Sequence, residues 1–262
     1  MRFTLYENSR VVTDAPRYLS SIRTLPERLP AECVFPFSLP FVSRLYLTFP
    51  APVTFFVGEN GTGKSTLLEA IADLCGFPVS GGGRNEQAAG HGPEQESPLR
   101  RVLRPVFRNR PVDGYFFRAE FQAHFASLLD ARALDPAFLG DPFARYGGRS
   151  LHARSHGESF LDVLQNRMGD GLFLLDEPES ALSPQRQLAL LALMHDLVAT
   201  GGTQFVIATH SPILLTFPGA RIVNFDDPGL PVMRLEETAH YQITRGILEA
   251  PERYWRRLIE PG

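Results

Sequence analysis

Apolar residues along this chain gather in short dense runs, set apart by stretches rich in glycine, proline and charge. Pro52-Val53-Thr54-Phe55-Phe56-Val57 is β-branched and aromatic, and reads as a buried strand. Gly171-Leu172-Phe173-Leu174-Leu175 and Gln204-Phe205-Val206-Ile207 have the same character. From Ser65 to Leu74, leucine and isoleucine recur at helical spacing, and Phe160 to Gln165 reads as a second helix. Phe41 to Phe49 alternates in part and predicts a strand, within a proline-rich region spanning residues 10–52 that opens with Arg10-Val11-Val12. That region is expected to form a small antiparallel piece. Val112 to Phe117 predicts another strand, followed by a helical stretch from about Phe121 to Ala131. Residues 80–98 lack periodicity and predict a flexible surface loop, and 135–148 a loop with short helical pieces.

Composition adds bounds rather than chemistry. A chain of 262 residues can bury a substantial core, and 44% apolar with 21% charged residues is ordinary for a globular protein. The net charge of −3 provides no global attraction to nucleic acid or anionic membrane. No apolar run approaches a membrane span and the N-terminus has no leader pattern, so a cytoplasmic location is expected. Two cysteines, Cys33 and Cys75, fit a reducing compartment, with Cys75 expected as a small core residue.

The chain has a single lysine, Lys64; every other basic side chain apart from histidine is arginine. It lies in Gly58-Glu59-Asn60-Gly61-Thr62-Gly63-Lys64-Ser65-Thr66, which fits the phosphate-cradling pattern G-x-x-x-x-G-K-[ST]. Glycines let backbone N–H groups converge on phosphate oxygens, and a lysine is a compact charge that reaches the terminal phosphates. Ser65 would offer its hydroxyl to Mg²⁺. The flanking order, strand then glycine loop then helix, is what a phosphate site at a helix N-terminus requires. The implied ligands are ATP and Mg²⁺. The strand over 171–175 ends in Asp176-Glu177. In a protein with such a loop, Asp176 would join the Mg²⁺ shell and Glu177 would act as general base on the attacking water.

The run Asp176-Glu177-Pro178-Glu179-Ser180-Ala181-Leu182-Ser183 resembles the second Walker motif and D-loop of ABC-type ATPases, usually D-E-P-T-S-A-L-D. Glu179 and Ser183 depart from that pattern. Ala208-Thr209-His210-Ser211 looks like the family's switch-histidine segment, and Arg154-Ser155-His156-Gly157-Glu158 stands where its L-S-G-G-Q signature falls, retaining the serine and second glycine but losing the first glycine and the glutamine. The resemblance implies an α/β fold of the ABC type, with a mostly parallel central sheet and flanking helices, an N-terminal antiparallel β piece and a small helical lobe. One domain over 1–262 is expected: 1–80 and 165–262 as nucleotide core, about 99–164 as helical and signature lobe, and 80–98 as loop. It also implies roles for particular residues. Glu177, His210 and Lys64 would be catalytic; the loop residues, with Ser155 and Gly157 of a second subunit, would bind nucleotide. Ser65, Asp176 and Glu120 would serve the metal, with Gln122 as the alternative to Glu120. Tyr18, Phe35, Tyr46 and Phe49 are all candidates for an adenine platform.

Over nearly its whole length the chain is similar to a stand-alone bacterial group of predicted ATPases of the AAA family, through S-H-G-E-S-F, L-D-E-P-E-x-A-L-S-P-Q-R-Q and A-T-H-S-P-I-L. An ATP-dependent homodimer driving a conformational cycle is the implied mechanism. Nucleic-acid maintenance or defence is the expected output; the alternatives are the ATPase subunit of a membrane transporter, or a nucleotide-gated binding module with negligible turnover. The arginines at 100, 101, 104, 108 and 110 are either a solvated face of the helical lobe or a contact for nucleic acid or an acidic partner. His152 and His156 lack a third ligand nearby and do not predict a metal centre. Tyr254-Trp255-Arg256-Arg257 predicts a docked C-terminal helix, and His240 and Tyr241 suggest no chemistry.

Overall fold

The computed structural model describes residues 18–84, 96–118, 129–130, 132–135, 140–144, 148 and 156–259. Ten strands among these form two sheets. β1 (Leu19–Thr24), β2 (Tyr46–Thr48) and β5 (Leu103–Phe107) make a three-stranded antiparallel sheet in the order β2-β1-β5. The larger sheet comprises β3 (Val53–Val57), β4 (Gly82–Gly83), β6 (Gly114–Arg118), β7 (Gly171–Asp176), β8 (Thr203–Ala208), β9 (Arg221–Asn224) and β10 (Val232–Met233), in the order β10-β9-β3-β8-β7-β6-β4. Its five inner strands are parallel and its two edge strands antiparallel. β3, β7 and β8 are buried at every position, which explains their unbroken apolar runs: a parallel sheet is covered on both faces.

Alternate residues of the inner strands feed two cores. On one face Phe56, Phe116, Leu174 and Val206 pack with Leu67, Leu68 and Ile71 of α1 (Lys64–Cys75) and with Leu19, Ile22 and Leu47 of the antiparallel sheet. On the other, Phe55, Phe117, Phe173 and Phe205 meet Val163 and Leu164 of α2 (His156–Arg167) and Leu190, Met194 and Val198 of α3 (Pro184–Ala199). Two further helices, α4 (Ala239–Glu249) and α5 (Pro251–Ile259), end the described chain. They approach closely at Gly246, where a Cβ would come within 2.3 Å of the Tyr254 hydroxyl.

Several elements differ from expectation. The predicted strand over 41–49 shrinks to β2, because Val42–Arg44 is a turn of 3-10 helix. Phe41, Val42 and Leu45 are all buried, and a tight turn points three such residues inward where strict alternation would expose one. Part of the predicted loop at 80–98 is instead the edge strand β4 beside β6. β6 starts at Gly114 rather than Val112: its φ of 155° and a virtual Cβ 2.2 Å from the Leu172 carbonyl oxygen admit only glycine there. Residues 103–107 and 114–118, which the sequence suggested for the helical lobe, are strands of the two sheets. The arginine cluster therefore does not lie on a helical lobe. Arg104 is on β5 opposite Arg23, and Arg100 pairs with the buried Asp73 of α1. The predicted helix over 121–131 and the segment Arg10-Val11-Val12 fall largely or wholly outside the described residues. Cys75 is buried, as expected of a core thiol, and burial pushes its pKa up to about 12.

Gln204 joins the two sheets. Fully buried on β8, it donates from Nε2 to the Leu19 carbonyl (2.9 Å), and its Oε1 accepts from the backbone N–H groups of Leu19 (2.9 Å) and Tyr18 (3.3 Å). Gln204→Leu would leave the buried Leu19 amide without a partner. We expect a loss of about 2 kcal/mol, seen as a lower urea midpoint with an unchanged slope.

Candidate functional site

Parallel strands place all their carboxyl ends on one edge of a sheet, and there an α/β protein binds its ligands. In this chain the ends of β3, β6, β7 and β8 meet at that edge. β3 runs into the glycine loop. Gly58 takes φ 142°, with a virtual Cβ 2.9 Å from Asp226 Oδ1, and the same carboxylate oxygen accepts from the Glu59 N–H at 2.7 Å. Gly63 takes φ 95°, and a Cβ there would stand 2.8 Å from both Leu39 and Phe41. The segment before β2 is thus a hydrophobic bed under the loop. Glu59, Asn60 and Gly61 are exposed, whereas Gly63 and Lys64 are buried and Ser65 and Thr66 half-buried.

Lys64 opens α1, with Nζ donating to the carbonyls of Gly58 (2.7 Å) and Glu59 (2.8 Å). Burial lowers its pKa from the ordinary value, opposed by the carboxylates of Glu177, Asp226, Asp176 and Glu59. Ser65 Oγ donates to Asp176 Oδ1 at 2.9 Å, joining the start of α1 to the end of β7. Burial raises the Asp176 pKa to about 6, with the Ser65 bond and the Arg118 charge acting the other way. A buried carboxylate beside a serine hydroxyl is a hard-oxygen donor pair of the kind Mg²⁺ accepts.

Glu177 follows in the left-handed region, φ 47° and ψ 53°, a strained conformation for a residue with a side chain. The turn is fixed by its N–H donating to the Ala208 carbonyl (3.0 Å) and its own carbonyl accepting from the Ser180 N–H (3.0 Å) and hydroxyl (2.8 Å). Its carboxylate stands half-exposed, with Oε1 3.6 Å from His210 Nε2. His210 lies two residues beyond β8. Its backbone N–H donates to Glu179 Oε1, and its Nδ1 lies 2.9 Å from Nε2 of His240 on α4.

Lys64, Ser65, Asp176, Glu177 and His210 therefore share one edge. Gly157 lies in the first turn of α2. Ser155, Glu120, Gln122 and His152 lie outside the described residues. Of the aromatic candidates, Phe49 is core, and the Tyr18 hydroxyl bonds to the Gly202 carbonyl, just before β8 and so away from the strand ends that bear the loop. Phe35 and Tyr46 are both 70% exposed.

Three participants escaped the sequence reading. Arg118 ends β6 in register with Asp176, its Nη1 2.6 Å from Glu69 Oε1 and its Nε 3.7 Å from Asp176 Oδ2. Glu179 is half-buried, and burial raises its pKa against the hydrogen bonds from the His210 N–H and the Thr209 hydroxyl. Its departure from the usual threonine was the available signal. His240 gave none, since nothing in the sequence pairs positions 210 and 240.

Two family models match the chain: "AAA domain" over residues 38–122, and "AAA domain, putative AbiEii toxin, Type IV TA system" over residues 159–216. The chain is similar to "Cytochrome c biogenesis ATP-binding export protein CcmA" of Rhodopseudomonas palustris, 29% identical over 180 residues that cover 63% of this chain and 82% of that one. It is also 29% identical over 179 residues to "Thiamine import ATP-binding protein ThiQ" of Ruegeria sp., covering 60% and 69% respectively. Among solved structures it resembles cbiO1 from Clostridium perfringens, described as part of the ABC transporter complex cbiONQ. That match has a TM-score of 0.46 and 16% identity, and covers 89% of this chain and 97% of that one.

The raised Asp176 pKa sets the sign of a pH effect. A carboxyl that holds its proton more tightly when folded contributes stability below pH about 4, the ordinary carboxylate value, and loses that contribution as pH rises through about 6. In Mg²⁺-free buffer at pH 7.5, Asp176→Asn is expected to be more stable than the parent by roughly 1–3 kcal/mol. The difference should vanish near pH 4 in urea titrations, and Mg²⁺-dependent hydrolysis should be lost.

Proposed function

We propose that this chain, a P-loop ATPase of the ABC type, hydrolyses ATP with Glu177 as general base and works as the energy-coupling subunit of a larger assembly. The observation that carries the reading is the convergence of Lys64, Ser65–Asp176 and Glu177–His210 at the carboxyl edge of one parallel sheet. In this arrangement the N–H groups of residues 58–66 bind phosphate, and Lys64 exchanges its carbonyl partners for phosphate oxygens. Ser65 and Asp176 would hold Mg²⁺, which supplies charge neutralisation at the phosphates. Glu177 takes a proton from water. His210 holds its Nε2 toward Glu177 and orients it, while Arg118 and Glu69 brace the carboxylate of Asp176. Phe35, exposed in the segment that underlies the loop, is the preferred adenine platform.

A single protomer leaves such a site open to water on one side. We infer that a second copy closes it with the segment around Ser155 and Gly157, giving a two-fold dimer with two nucleotides between its halves. The whole chain would be one functional domain. The partner moved by this cycle is more plausibly a transport complex than nucleic acid, because the matched relatives are ATP-binding proteins named for export and import. This reverses the preference for nucleic-acid maintenance or defence drawn from the sequence. No helix among the described residues is long and apolar enough to cross a membrane.

Glu177→Gln keeps the shape and hydrogen bonding of the side chain but removes its basicity. Turnover should fall by about 10²- to 10⁴-fold in a phosphate-release assay. ATP should then convert the variant to a dimer by light scattering. Wild-type turnover in Glu177→Gln would remove Glu177 from its assigned role.

A further inference from the structure

The contact between His210 and His240 goes beyond the motifs. It rests on the reading of His210 as the residue that orients Glu177 and water. Two neutral imidazoles 2.9 Å apart share one proton: one nitrogen donates and the other must be bare. The remaining nitrogen of His210 decides which. Its Nε2 is buried, has no hydrogen-bond partner, and has the carboxylate oxygen of Glu177, an acceptor only, 3.6 Å away. A bare Nε2 would set two lone pairs against each other. The proton therefore sits on Nε2 of His210, its Nδ1 accepts, and Nε2–H of His240 donates.

We infer that His240 is a positioning residue for catalysis, fixing the tautomer and ring plane of His210 so that an N–H faces Glu177 and the reacting phosphate. The supporting geometry is local and rigid. His240 lies in the first turn of α4, whose N-cap Thr238 is buried and accepts from the Tyr241 N–H at 3.2 Å. The ring centroids are 5.0 Å apart and the planes tilted by 56°, with the two nitrogens 2.9 Å apart. His210 is held independently on its backbone side by Glu179. Burial, His210 and Lys64 all lower the His240 pKa, while Glu59 and Asp226 face it with opposite effect. That environment disfavours the charged form of His240.

Three side chains at position 240 separate this role from simple packing. Phenylalanine fills the space without a donor, glutamine offers an N–H, and histidine is the reference. His240→Phe should lower kcat by about ten- to a hundredfold and leave KM for ATP within about twofold. His240→Gln should recover most of the lost kcat. Parent-like kcat in His240→Phe, equal losses in both variants, or a loss confined to KM would each overturn the proposal. Should His240→Phe fail to fold, nitrogen-labelled histidine NMR of the unmodified protein decides. A bare Nδ1 and protonated Nε2 on His210 are expected; a proton on Nδ1 overturns the assignment. Glu177→Gln measured alongside keeps the two readings apart. If it is inactive while His240→Phe is unaffected, only the role of His240 falls; if it is active, the role of Glu177 falls.

Discussion

One row of the central sheet fixes everything at the nucleotide edge. Phe56, Ala208, Asp176 and Arg118 stand side by side in parallel register on β3, β8, β7 and β6. Each chain leaves the sheet within two residues of that row. β3 turns into the loop at Gly58, β7 delivers Glu177 and β8 delivers His210. Side chains alternate faces along a strand, so a one-residue slip of any member would carry its last side chain to the opposite face. The large aromatic residues of the neighbouring layers prevent such a slip. Phe55, Phe173 and Phe205 pack on one side and Phe56 and Phe116 on the other, all fully buried. Core packing, more than any polar contact, sets the geometry of the chemistry.

That geometry works against the stability of the fold at several points. Glu177 holds a backbone conformation that costs a residue with a side chain on the order of 1 kcal/mol or more, maintained by bonds from Ala208 and Ser180. Asp176 keeps a carboxyl where burial disfavours its charge, and Lys64 keeps an ammonium under the same handicap. The two lie on adjoining elements; Asp176 opposes the effect of burial on Lys64, and the Ser65 hydroxyl and Arg118 oppose it on Asp176. A desolvated cation and a desolvated anion in one cleft interact more strongly than they would in water.

Local chemistry was legible in the sequence where it depends on contiguous residues. The glycine loop, the apolar strand ending in Asp176-Glu177 and the strand before His210 each announce themselves within ten residues. The mostly parallel sheet was expected from the resemblance that these motifs carry, and the proline-rich 10–52 region suggested the antiparallel piece. Contacts between distant segments were not legible. Arg118 reads as one arginine among many until β6 pairs with β7 and sets it beside Asp176. Gln204 looks like an ordinary polar residue in a strand, although it joins two sheets through Leu19. The 41–49 segment misled because its apolar residues satisfy a turn as readily as a strand, and only packing against Gly63 decides between them.

Glu179 and His240 show how a departure from a family pattern can be compensated in three dimensions. A threonine at position 179 could not extend a carboxylate to the His210 N–H, so the segment after β8 is held here by an acidic side chain on the turn after β7. The same turn carries Glu177, which means that this carboxylate and the histidine facing it are fixed to one short stretch of backbone. His240, 30 residues downstream on α4, then approaches the ring at its Nδ1. With backbone and ring both restrained, His210 has little freedom to rotate. Pre-orientation of this kind lowers the entropy lost on reaching the reactive geometry, and it arises from residues that a linear reading would pass over.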